Sequence, residues 1–383
     1  MRILALTNLF PNPLQPYQGL FNYHQIKQLA RWNQVEVIAP ILWTCELGQR
    51  HPRLDRSRQA EVDGIPVRYP RYYYTPKILR GWYGYFFQRS IQKTFELAVH
   101  QFGPQAILAT WAYPDGWAAA QLGQRLRLPV AIKVHGSDIN RLDRHRGIQR
   151  RTQAALRQAD AIISVSQAMR DHIIALGVHP DKVHLVPNGI DTTQFQPRPR
   201  EAARRRLELP NDEKIILFVG NFIACKGIPV LIEAVAQLTR RGLPVTAYLI
   251  GDGPERPRIL HDIHFHGLPG RVRLLGKMPQ TMLPDWFSAA DVFALPSFTE
   301  GCPNVLLEAI ACGTPFVATR VGGIPDIAPL GQGHLIAPGN PRELAIALAD
   351  LIAFPPARAV SAELRSHQDA AQEMNEILHR LVA

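Results

Sequence analysis

The sequence has no long apolar segment and few cysteines. None of its apolar runs reaches the roughly 18 consecutive residues that a transmembrane helix needs, and residues 1–6 give way to polar residues too soon for a secretory signal peptide. The 4 cysteines show neither metal-ligand spacing nor the density of a secreted disulfide-rich domain. We therefore expect a cytoplasmic protein with reduced thiols.

The sequence also lacks internal repeats, low-complexity segments and the Gly-x-Gly-x-x-Gly pattern of dinucleotide-binding enzymes. The absence of that pattern argues against a dehydrogenase. Hydrophobic residues make up 46% of the chain and charged residues 20%, which is the composition of a folded globular protein. The length of 383 residues predicts two domains, since one domain usually contains roughly 100–200 residues.

Acidic residues are scarce in the first half of the chain. Residues 1–191 contain 24 Lys and Arg but 13 Asp and Glu, whereas residues 192–383 contain 19 of each kind. The net charge of +11 therefore lies entirely in the first half. A basic surface attracts polyanions, and the candidates are nucleic acid, anionic lipid headgroups and a phosphate-bearing substrate.

Short β-branched strands alternate with helical patterns along the chain, which indicates an α/β fold with doubly wound, mostly parallel sheets. In residues 192–212 this pattern gives way to a proline-rich, charged sequence typical of an exposed linker. We predict one Rossmann-like domain at 1–191 and a second at 213–383, whose last helix, near 362–381, could pack on either domain. Two such domains would face each other across a cleft, and ligands bind at the carboxyl ends of parallel strands.

The strongest motif lies in residues 290–309, where a strand leads into a loop with Glu300 and then into a helix with Glu308. Pro303 suits the first position of that helix because its missing N–H is not needed there. Backbone N–H groups at a helix start bind phosphate, and here they belong to Asn304, Val305 and Leu306. Glu308 is placed to accept hydrogen bonds from ribose hydroxyls, and Glu300 can reach a sugar. Either carboxylate alone could be a surface or capping residue, but the combination favours a nucleotide-sugar site.

With this Glu-x7-Glu spacing and the segments 311–315 and 318–326 that follow it, the sequence resembles family 4 of the retaining glycosyltransferases over nearly its whole length. The resemblance implies the GT-B fold, in which two Rossmann-like domains face a cleft. It implies an enzyme that moves a hexose-type sugar from a UDP- or GDP-linked donor to a glycan or lipid-linked acceptor during cell-surface polysaccharide synthesis. The family glutamates that match Glu300 and Glu308 contact the donor sugar and the ribose.

The resemblance also implies the remaining catalytic residues. His135 follows a predicted strand and matches the family histidine beside the transferred sugar. Lys226 matches the lysine that binds the diphosphate and neutralises the leaving nucleotide. Together with Glu300, these two are the expected catalytic residues. Asn221 departs from the pattern, because many relatives carry an arginine there that also binds the phosphates.

Other donor contacts are implied by matching loops. Gly19 corresponds to a glycine loop whose backbone approaches the phosphates, and Gly220 precedes Asn221 in the loop that opens the second domain. Relatives bind the nucleobase through backbone groups at the positions of Gly276, Lys277 and Met278. Because these contacts are made by the backbone, the sequence does not indicate which base is bound. The Asn-Gly pair at 188–189 is interpreted as a structural hinge.

Acceptor contacts are predicted less specifically, at Asp138, Tyr73 and Trp82. The last two belong to an aromatic and basic segment, 69–89, that suits a membrane interface or a lipid-linked acceptor, with ordinary helix packing as the alternative. We expect peripheral contact with the anionic inner membrane face through the basic first half, and no nucleic-acid partner. Three histidines lie in a poorly patterned stretch that we interpret as an exposed loop rather than a metal site: His261, His264 and His266.

We expect the donor to bind mainly to the second domain, the acceptor to the first, and domain closure to exclude water. Since both glutamates are committed to donor hydroxyls, we favour same-face attack in which the leaving phosphate accepts the acceptor's proton. No metal or other cofactor is expected, because Lys226 and the helix start supply positive charge. The alternatives are a nucleotide-sugar 2-epimerase of the same architecture and a non-enzymatic polyanion-binding protein, which would leave the two glutamates without a role.

Overall fold

The computed structural model describes residues 1–47, 57–74, 80–140 and 146–383. The chain forms two compact units, the first containing Met1–Pro187 with His367–Ala383 and the second containing Asn188–Ser366. Each unit is built around a predominantly parallel sheet with helices, which confirms the predicted α/β class. Within the described ranges no helix combines the length and the apolar character needed to cross a membrane.

The strands of the first unit form one large sheet and one small one. They are β1 (Arg2–Leu6), β2 (Gln34–Ile38), β3 (Ile41–Leu42), β4 (Gln59–Val62), β5 (Ile65–Arg68), β6 (Arg71–Tyr72), β7 (Ala106–Thr110), β8 (Val130–Lys133), β9 (Ala161–Ser164) and β10 (Val183–Leu185). The eight-stranded sheet has the order β10-β9-β8-β7-β1-β2-β5-β4, and β3 pairs with β6. Neighbouring strands of the large sheet pair in parallel except β4 and β5.

Helices accompany the large sheet of the first unit. They are α1 (Leu20–Leu29), α2 (Tyr83–Phe102), α3 (Trp117–Leu126), α4 (Ser137–Asn140), α5 (Arg146–Gln158) and α6 (Gln167–Ala175). Every residue of β7, β8 and β9 is buried, as expected for parallel strands covered on both faces. Helix α2 buries apolar residues at helical spacing, among them Phe87, Ile91 and Phe95.

The second unit contains a six-stranded, wholly parallel sheet. Its strands are β11 (Lys214–Val219), β12 (Val245–Ile250), β13 (Val272–Gly276), β14 (Val292–Leu295), β15 (Phe316–Thr319) and β16 (Gly333–Ile336), in the order β13-β12-β11-β14-β15-β16. Its helices are α7 (Arg200–Arg206), α8 (Ile228–Arg240), α9 (Arg256–Phe265), α10 (Leu283–Ala289), α11 (Asn304–Ala311), α12 (Ile324–Ile327) and α13 (Pro341–Ala353).

The stretch 192–212 is part of the second unit and not an exposed linker. It contains α7, whose Arg204 is only 1% exposed. The Arg204 guanidinium donates to Asp291 Oδ2 (2.9 Å) and to the carbonyl oxygen of Ala289 (3.0 Å). The prediction of an exposed linker was wrong because a buried arginine is rare unless a carboxylate and carbonyl groups compensate its charge. The unit boundary also lies earlier than predicted, at Pro187.

The last helix, α14 (His367–Arg380), belongs to the first unit. It packs against α1, and its buried side chains join the same hydrophobic core as Ile3 and Val37. Asn33 Nδ2 donates to Asn375 Oδ1 (2.7 Å) at this contact. The chain therefore runs from the first unit into the second and returns.

The three neighbouring histidines lie on a helix, not in a loop. His261 and His264 belong to α9, and His266 is its C-cap residue. The helix buries Ile259 and Ile263 four residues apart against the second unit's core. Two apolar residues were too few for the sequence to indicate the helix, and the exposed histidines obscured the pattern.

Candidate active site

Two loops at the carboxyl edge of the second sheet are joined by backbone contacts. Because β11 and β14 are parallel neighbours, the loops after them lie side by side. The Phe298 N–H donates to the Cys225 carbonyl oxygen (2.8 Å). Gly227 has a φ of +66°, and a Cβ there would lie 2.0 Å from the Pro296 carbonyl oxygen. Glycine alone permits this approach, so the turn that carries Lys226 is fixed against the loop after β14.

Lys226 and Glu300 form an ion pair at this junction. The distance from Lys226 Nζ to Glu300 Oε1 is 2.6 Å. The Ser297 hydroxyl donates to the same carboxylate oxygen (2.6 Å), and the Thr319 hydroxyl donates to the Ser297 carbonyl oxygen (2.6 Å). Glu300 is 9% exposed. Two of the three predicted catalytic residues are therefore in direct contact, and the carboxylate has little rotational freedom.

The backbone of Glu300 is also held by the loop that follows β15. Gly322 has a φ of +54°, and a Cβ there would lie 1.9 Å from the Glu300 carbonyl oxygen. The Gly323 N–H donates to the Gly301 carbonyl oxygen (2.9 Å). The position of Glu300 thus depends on a glycine outside its own loop.

Helix α11 begins at Asn304, with Pro303 as its N-cap residue, one position later than predicted. The Leu306 N–H donates to the Pro303 carbonyl oxygen (3.0 Å), so the prediction that it is free to bind phosphate was wrong. The described residues offer no acceptor to the N–H groups of Asn304 and Val305. The side-chain oxygen of Asn304 accepts a hydrogen bond from Asn188 Nδ2 (2.9 Å). Two open N–H groups at a helix start are suited to an anion.

Glu308 lies further along the same helix and is 7% exposed, so it is not a surface carboxylate. Gln280 Nε2 donates to Glu308 Oε1 (2.9 Å), and Gln194 Nε2 donates to the Gln280 carbonyl oxygen (3.0 Å). Burial raises the pKa of Glu308 to about 7, and the Gln280 hydrogen bond offsets only part of that rise. Additional hydrogen-bond donors would stabilise the charged form of this buried carboxyl.

The raised pKa of Glu308 predicts a pH-dependent stability difference. The folded pKa of about 7 exceeds the ordinary value of 4.5, so stability present below pH 4.5 is lost as the pH rises through 7. Glu308→Gln removes this loss, and at pH 8 the variant should be more stable than the wild type by ~3 kcal/mol. We expect little difference near pH 4.5. Urea unfolding of both proteins across this range checks the prediction, and a stability difference that does not change with pH would contradict it.

His135 in the first unit follows β8 and lies between aromatic rings. The Phe21 ring meets it edge-on at 4.9 Å between centroids, and the Trp111 ring stacks on it at 5.5 Å. Burial, with a smaller contribution from the Lys133 charge, holds the pKa of His135 well below its usual value. The imidazole is therefore neutral near pH 7. Its Nε2 atom is buried and has no hydrogen-bond partner among the described residues.

Asp138 holds the loop around His135. Its carboxylate accepts hydrogen bonds from the N–H groups of Ala112 (3.0 Å), His135 (3.0 Å) and Gly136 (2.8 Å). The residue is 8% exposed. Three backbone donors occupy this carboxylate, so the geometry favours a positioning role over the acceptor contact that the sequence analysis suggested.

Residues 18–194 match the model of Glycosyltransferase Family 4, and residues 213–353 match the model of Glycosyl transferases group 1. The two matches cover the segments that carry His135, Lys226, Glu300 and Glu308. The chain is a family 4 glycosyltransferase with the GT-B fold. The resemblance found in the sequence is thereby confirmed.

This glycosyltransferase is 29% identical over 357 residues to the Bacillus subtilis (strain 168) protein described as teichuronic acid biosynthesis glycosyltransferase TuaC, across 91% of this chain and 88% of the relative. The structure of sucrose-phosphate synthase from Thermosynechococcus elongatus matches with a TM-score of 0.74 and 22% identity, covering 100% of this chain and 96% of that one. Anabaena HepE in complex with UDP-glucose matches with a TM-score of 0.70, 22% identity and the same coverage. At this identity the two structures show the shared fold alone.

The predicted donor residues Gly220, Asn221, Gly276, Lys277 and Met278 lie at or just beyond the carboxyl ends of strands in the second unit's sheet. The Gly220 N–H donates to the Ile250 carbonyl oxygen (3.0 Å), which places the exposed Asn221 just beyond β11. Gly276 ends β13 with a φ of +78°. Lys277 is exposed, whereas the Met278 side chain packs against the hydrophobic core. The packing of its side chain leaves the backbone of Met278 as the group suited to a base site.

Gly19 in the first unit is the N-cap residue of α1 and has a φ of +64°. A Cβ at this position would lie 2.1 Å from the Leu9 carbonyl oxygen. The loop after β1 therefore folds back on itself at the start of α1, a close approach that requires glycine.

The described parts of the aromatic segment, residues 69–74 and 80–89, contain both buried and exposed rings, and residues 75–79 lie outside the described residues. Phe87 is buried in the first unit. Tyr73 and Trp82 are 54% and 52% exposed, and the Arg151 guanidinium lies 5.6 Å from the Trp82 ring centroid. Ordinary packing thus explains part of the pattern, and the two predicted acceptor residues lie on the surface.

Asp115 was missed by the sequence analysis. It follows Pro114 after β7 and is fully buried. Its Oδ1 accepts the Asn8 N–H (2.7 Å), and its Oδ2 has no hydrogen-bond partner among the described residues. Burial raises the pKa of Asp115 well above its usual value. A carboxylate five positions after the end of β7 was the available signal.

Proposed function

We propose that this enzyme transfers a hexose from a nucleoside-diphosphate sugar, with retention of the anomeric configuration, to a glycan or lipid-linked acceptor in cell-surface polysaccharide synthesis. The proposal rests on the junction at which the Lys226–Glu300 pair lies on loops beside the start of α11. HepE, whose structure is described with UDP-glucose, supports the donor class. TuaC, described with teichuronic acid biosynthesis, supports the acceptor class.

The charges at this junction suit the donor. Lys226 and the open N–H groups of Asn304 and Val305 would bind the diphosphate, since both supply positive charge to phosphate oxygens. Glu308 would accept hydrogen bonds from the ribose hydroxyls, and Glu300 would bind a hydroxyl of the transferred sugar. The backbone at Gly276 and the two residues after it would hold the base.

The reaction would proceed on one face of the sugar. The bond between the anomeric carbon and the phosphate oxygen breaks, the acceptor oxygen bonds to the same carbon, and the acceptor's proton passes to the leaving phosphate. Lys226 stabilises the negative charge that develops on the diphosphate. His135, being neutral, would orient the reacting sugar by hydrogen bonding. We propose metal-independent transfer because Lys226 and the start of α11 supply positive charge to the diphosphate.

Three measurements test this function. Thermal-shift screening against UDP- and GDP-hexoses should show stabilisation by one donor class, and transfer from that donor to octyl glycosides should survive EDTA. NMR of the product should show the anomeric configuration of the donor. No stabilisation by any nucleotide sugar would contradict the donor, an inverted product would contradict retention, and loss of activity in EDTA would contradict metal independence. An isomerised donor formed without acceptor would indicate the epimerase instead.

We also propose peripheral binding to anionic membranes through the first unit. Helix α5 contains four arginines and no acidic residue, and Trp82 and Tyr85 are exposed beside it. Aromatic side chains are enriched at membrane interfaces, and each basic residue near an anionic surface contributes ~1 kcal/mol to membrane binding.

Vesicles containing phosphatidylglycerol should therefore co-sediment with the protein, whereas phosphatidylcholine vesicles should not. The double substitution Trp82→Ala and Tyr85→Ala should weaken binding about tenfold, and Trp32→Ala, at a tryptophan that is 40% exposed elsewhere, should not. Equal loss in both variants would contradict this surface.

A further inference from the structure

Four buried polar atoms in the first unit have no hydrogen-bond partner among the described residues. They are Asn22 Oδ1, Thr110 Oγ1, Asp115 Oδ2 and His135 Nε2. Buried polar atoms are nearly always paired with protein or with water, so these four are open to a water or a ligand.

The four atoms belong to one edge of the first sheet. Strands β1, β7 and β8 are parallel neighbours, and Thr110 is the last residue of β7. Asn22 donates to the Leu9 carbonyl oxygen (2.9 Å) in the loop after β1, and Asp115 accepts the Asn8 N–H of that loop. His135 follows β8. Topology and hydrogen bonds therefore place all four at the carboxyl ends of adjacent strands, where α/β sheets bind ligands.

Two of these atoms are oxygens whose side chains already use their other polar atom. Asp115 Oδ1 accepts the Asn8 N–H, which leaves Oδ2 without a partner among the described residues, and burial raises the pKa of this carboxyl well above its usual value. Asn22 Nδ2 is used as a donor to Thr7 Oγ1 and to the Leu9 carbonyl oxygen, which leaves its Oδ1 as an acceptor. A hydroxyl group can donate a hydrogen bond to an acceptor oxygen and accept one from a donor.

Aromatic rings border the same site. The Phe21 and Trp111 rings flank His135 on two sides. Unpaired polar atoms combined with aromatic faces suit a polyhydroxylated ring, because its hydroxyls need hydrogen bonds and its C–H faces pack on aromatic groups.

We propose that Asp115 Oδ2 binds a hydroxyl group of the acceptor sugar and so helps to determine which acceptor the enzyme uses. This inference rests on the proposed function and adds a specificity-determining residue to it. Asp115 binds the acceptor directly, whereas Asp138 positions the backbone around His135.

Kinetics of two Asp115 variants test this role. Asp115→Ala should raise the KM of an octyl glycoside acceptor by about tenfold or more, because a buried hydrogen bond to a hydroxyl is lost. The KM of the nucleotide sugar should change by less than about twofold, because the proposed donor contacts lie mainly in the second unit. Asp115→Asn keeps an acceptor for the Asn8 N–H and a donor at the other position, so it should restore the acceptor KM to within about threefold.

Asp160→Ala is the matched control. Asp160 accepts the Val130 N–H (2.8 Å) at the start of β8, so its loss also removes one backbone hydrogen bond to a carboxylate, away from the four atoms. The control should leave the acceptor KM unchanged. If Asp160→Ala raises the acceptor KM as much as Asp115→Ala does, or if Asp115→Ala leaves that KM unchanged, the proposal is overturned.

A crystal structure of the full chain with UDP and glucose decides the point independently of turnover. We expect a glucose hydroxyl oxygen within hydrogen-bond distance of Asp115 Oδ2. An ordered water alone at Oδ2, with glucose absent from this edge, would overturn the inference. Failure of the wild type to transfer sugar from any nucleotide sugar would instead contradict the proposed function, and the crystal structure would still decide whether Asp115 binds a sugar.

Discussion

Lys226→Ala should lower kcat/KM for sugar transfer by roughly 100- to 1000-fold, the effect expected when one group that stabilises developing charge is removed from an active site. Two effects combine. The diphosphate loses a cation as negative charge develops on it, and the Glu300 carboxylate, 2.6 Å from Lys226 Nζ in the wild type, loses the cation that neutralises it. A carboxylate that is 9% exposed would then repel the leaving group.

Steady-state kinetics with the nucleotide sugar measure this effect, and circular dichroism checks that the variant folds. Arg241→Ala is the control, because Arg241 is an exposed cation at the other end of α8. That variant should retain activity within about twofold, as is usual for surface substitutions. A Lys226→Ala enzyme within threefold of the wild type would remove Lys226 from the catalytic assignment.

Gly322→Ala should destabilise the second unit by ~3 kcal/mol and reduce transfer more than tenfold. Two causes act together: a φ of +54° is unfavourable for alanine, and the new Cβ would meet the Glu300 carbonyl oxygen at 1.9 Å. The contact can be relieved only by displacing the loop that carries Glu300 or the loop that holds its backbone in place. Active sites tolerate such shifts poorly, since a displacement of ~1 Å can lower a rate 100-fold.

Gly242→Ala separates the two causes. Gly242 has a φ of +79°, but a Cβ there would meet nothing within 4 Å. This variant should lose ~1 kcal/mol of stability from backbone conformation alone and keep full transfer activity. Urea unfolding and initial-rate assays on both variants are required. If Gly242→Ala proves as inactive and as unstable as Gly322→Ala, contact with the Glu300 backbone is not the cause.

The sequence predicted well those features that depend on local chemistry. The strands near 214–219 and 292–295 are recognisable because buried parallel strands are runs of apolar residues. Glu300 and Glu308 could be predicted as a pair because one loop and one helix carry both, and their spacing is visible in the chain. The sequence indicated that Lys226 and Glu300 belong to one site but not that they form an ion pair, since their contact depends on β11 and β14 being neighbours.

Features that depend on distant partners could not be predicted. Strand β4 is an exposed edge with little apolar sequence, and β16 begins Gly-His, so neither has the pattern of a buried strand. The burial of Arg204 requires Asp291, 87 positions away, which the local composition does not reveal. Leu306 appeared free at the helix start because the sequence does not show the turn that closes on Pro303.

Asp115 could not be distinguished from a surface turn residue for the same reason. The Tyr-Pro-Asp-Gly sequence that contains it resembles an ordinary exposed turn. Only the packing of the loops after β1 and β7 buries the side chain and directs Oδ1 to the Asn8 N–H. Sites assembled at sheet edges from several loops are in general hard to predict from local sequence, because no single segment contains them.

The return of α14 to the first unit has a consequence for biosynthesis. A ribosome delivers residues 1–187 long before it delivers residues 367–380, yet the side chains of Ala371, Met374 and Leu378 complete the packing around α1. The apolar side chains of the first unit that α14 covers in the folded protein therefore stay exposed while the entire second unit is translated. Chaperone capture should concentrate on that interval, and premature termination anywhere in the second unit should yield aggregation-prone fragments.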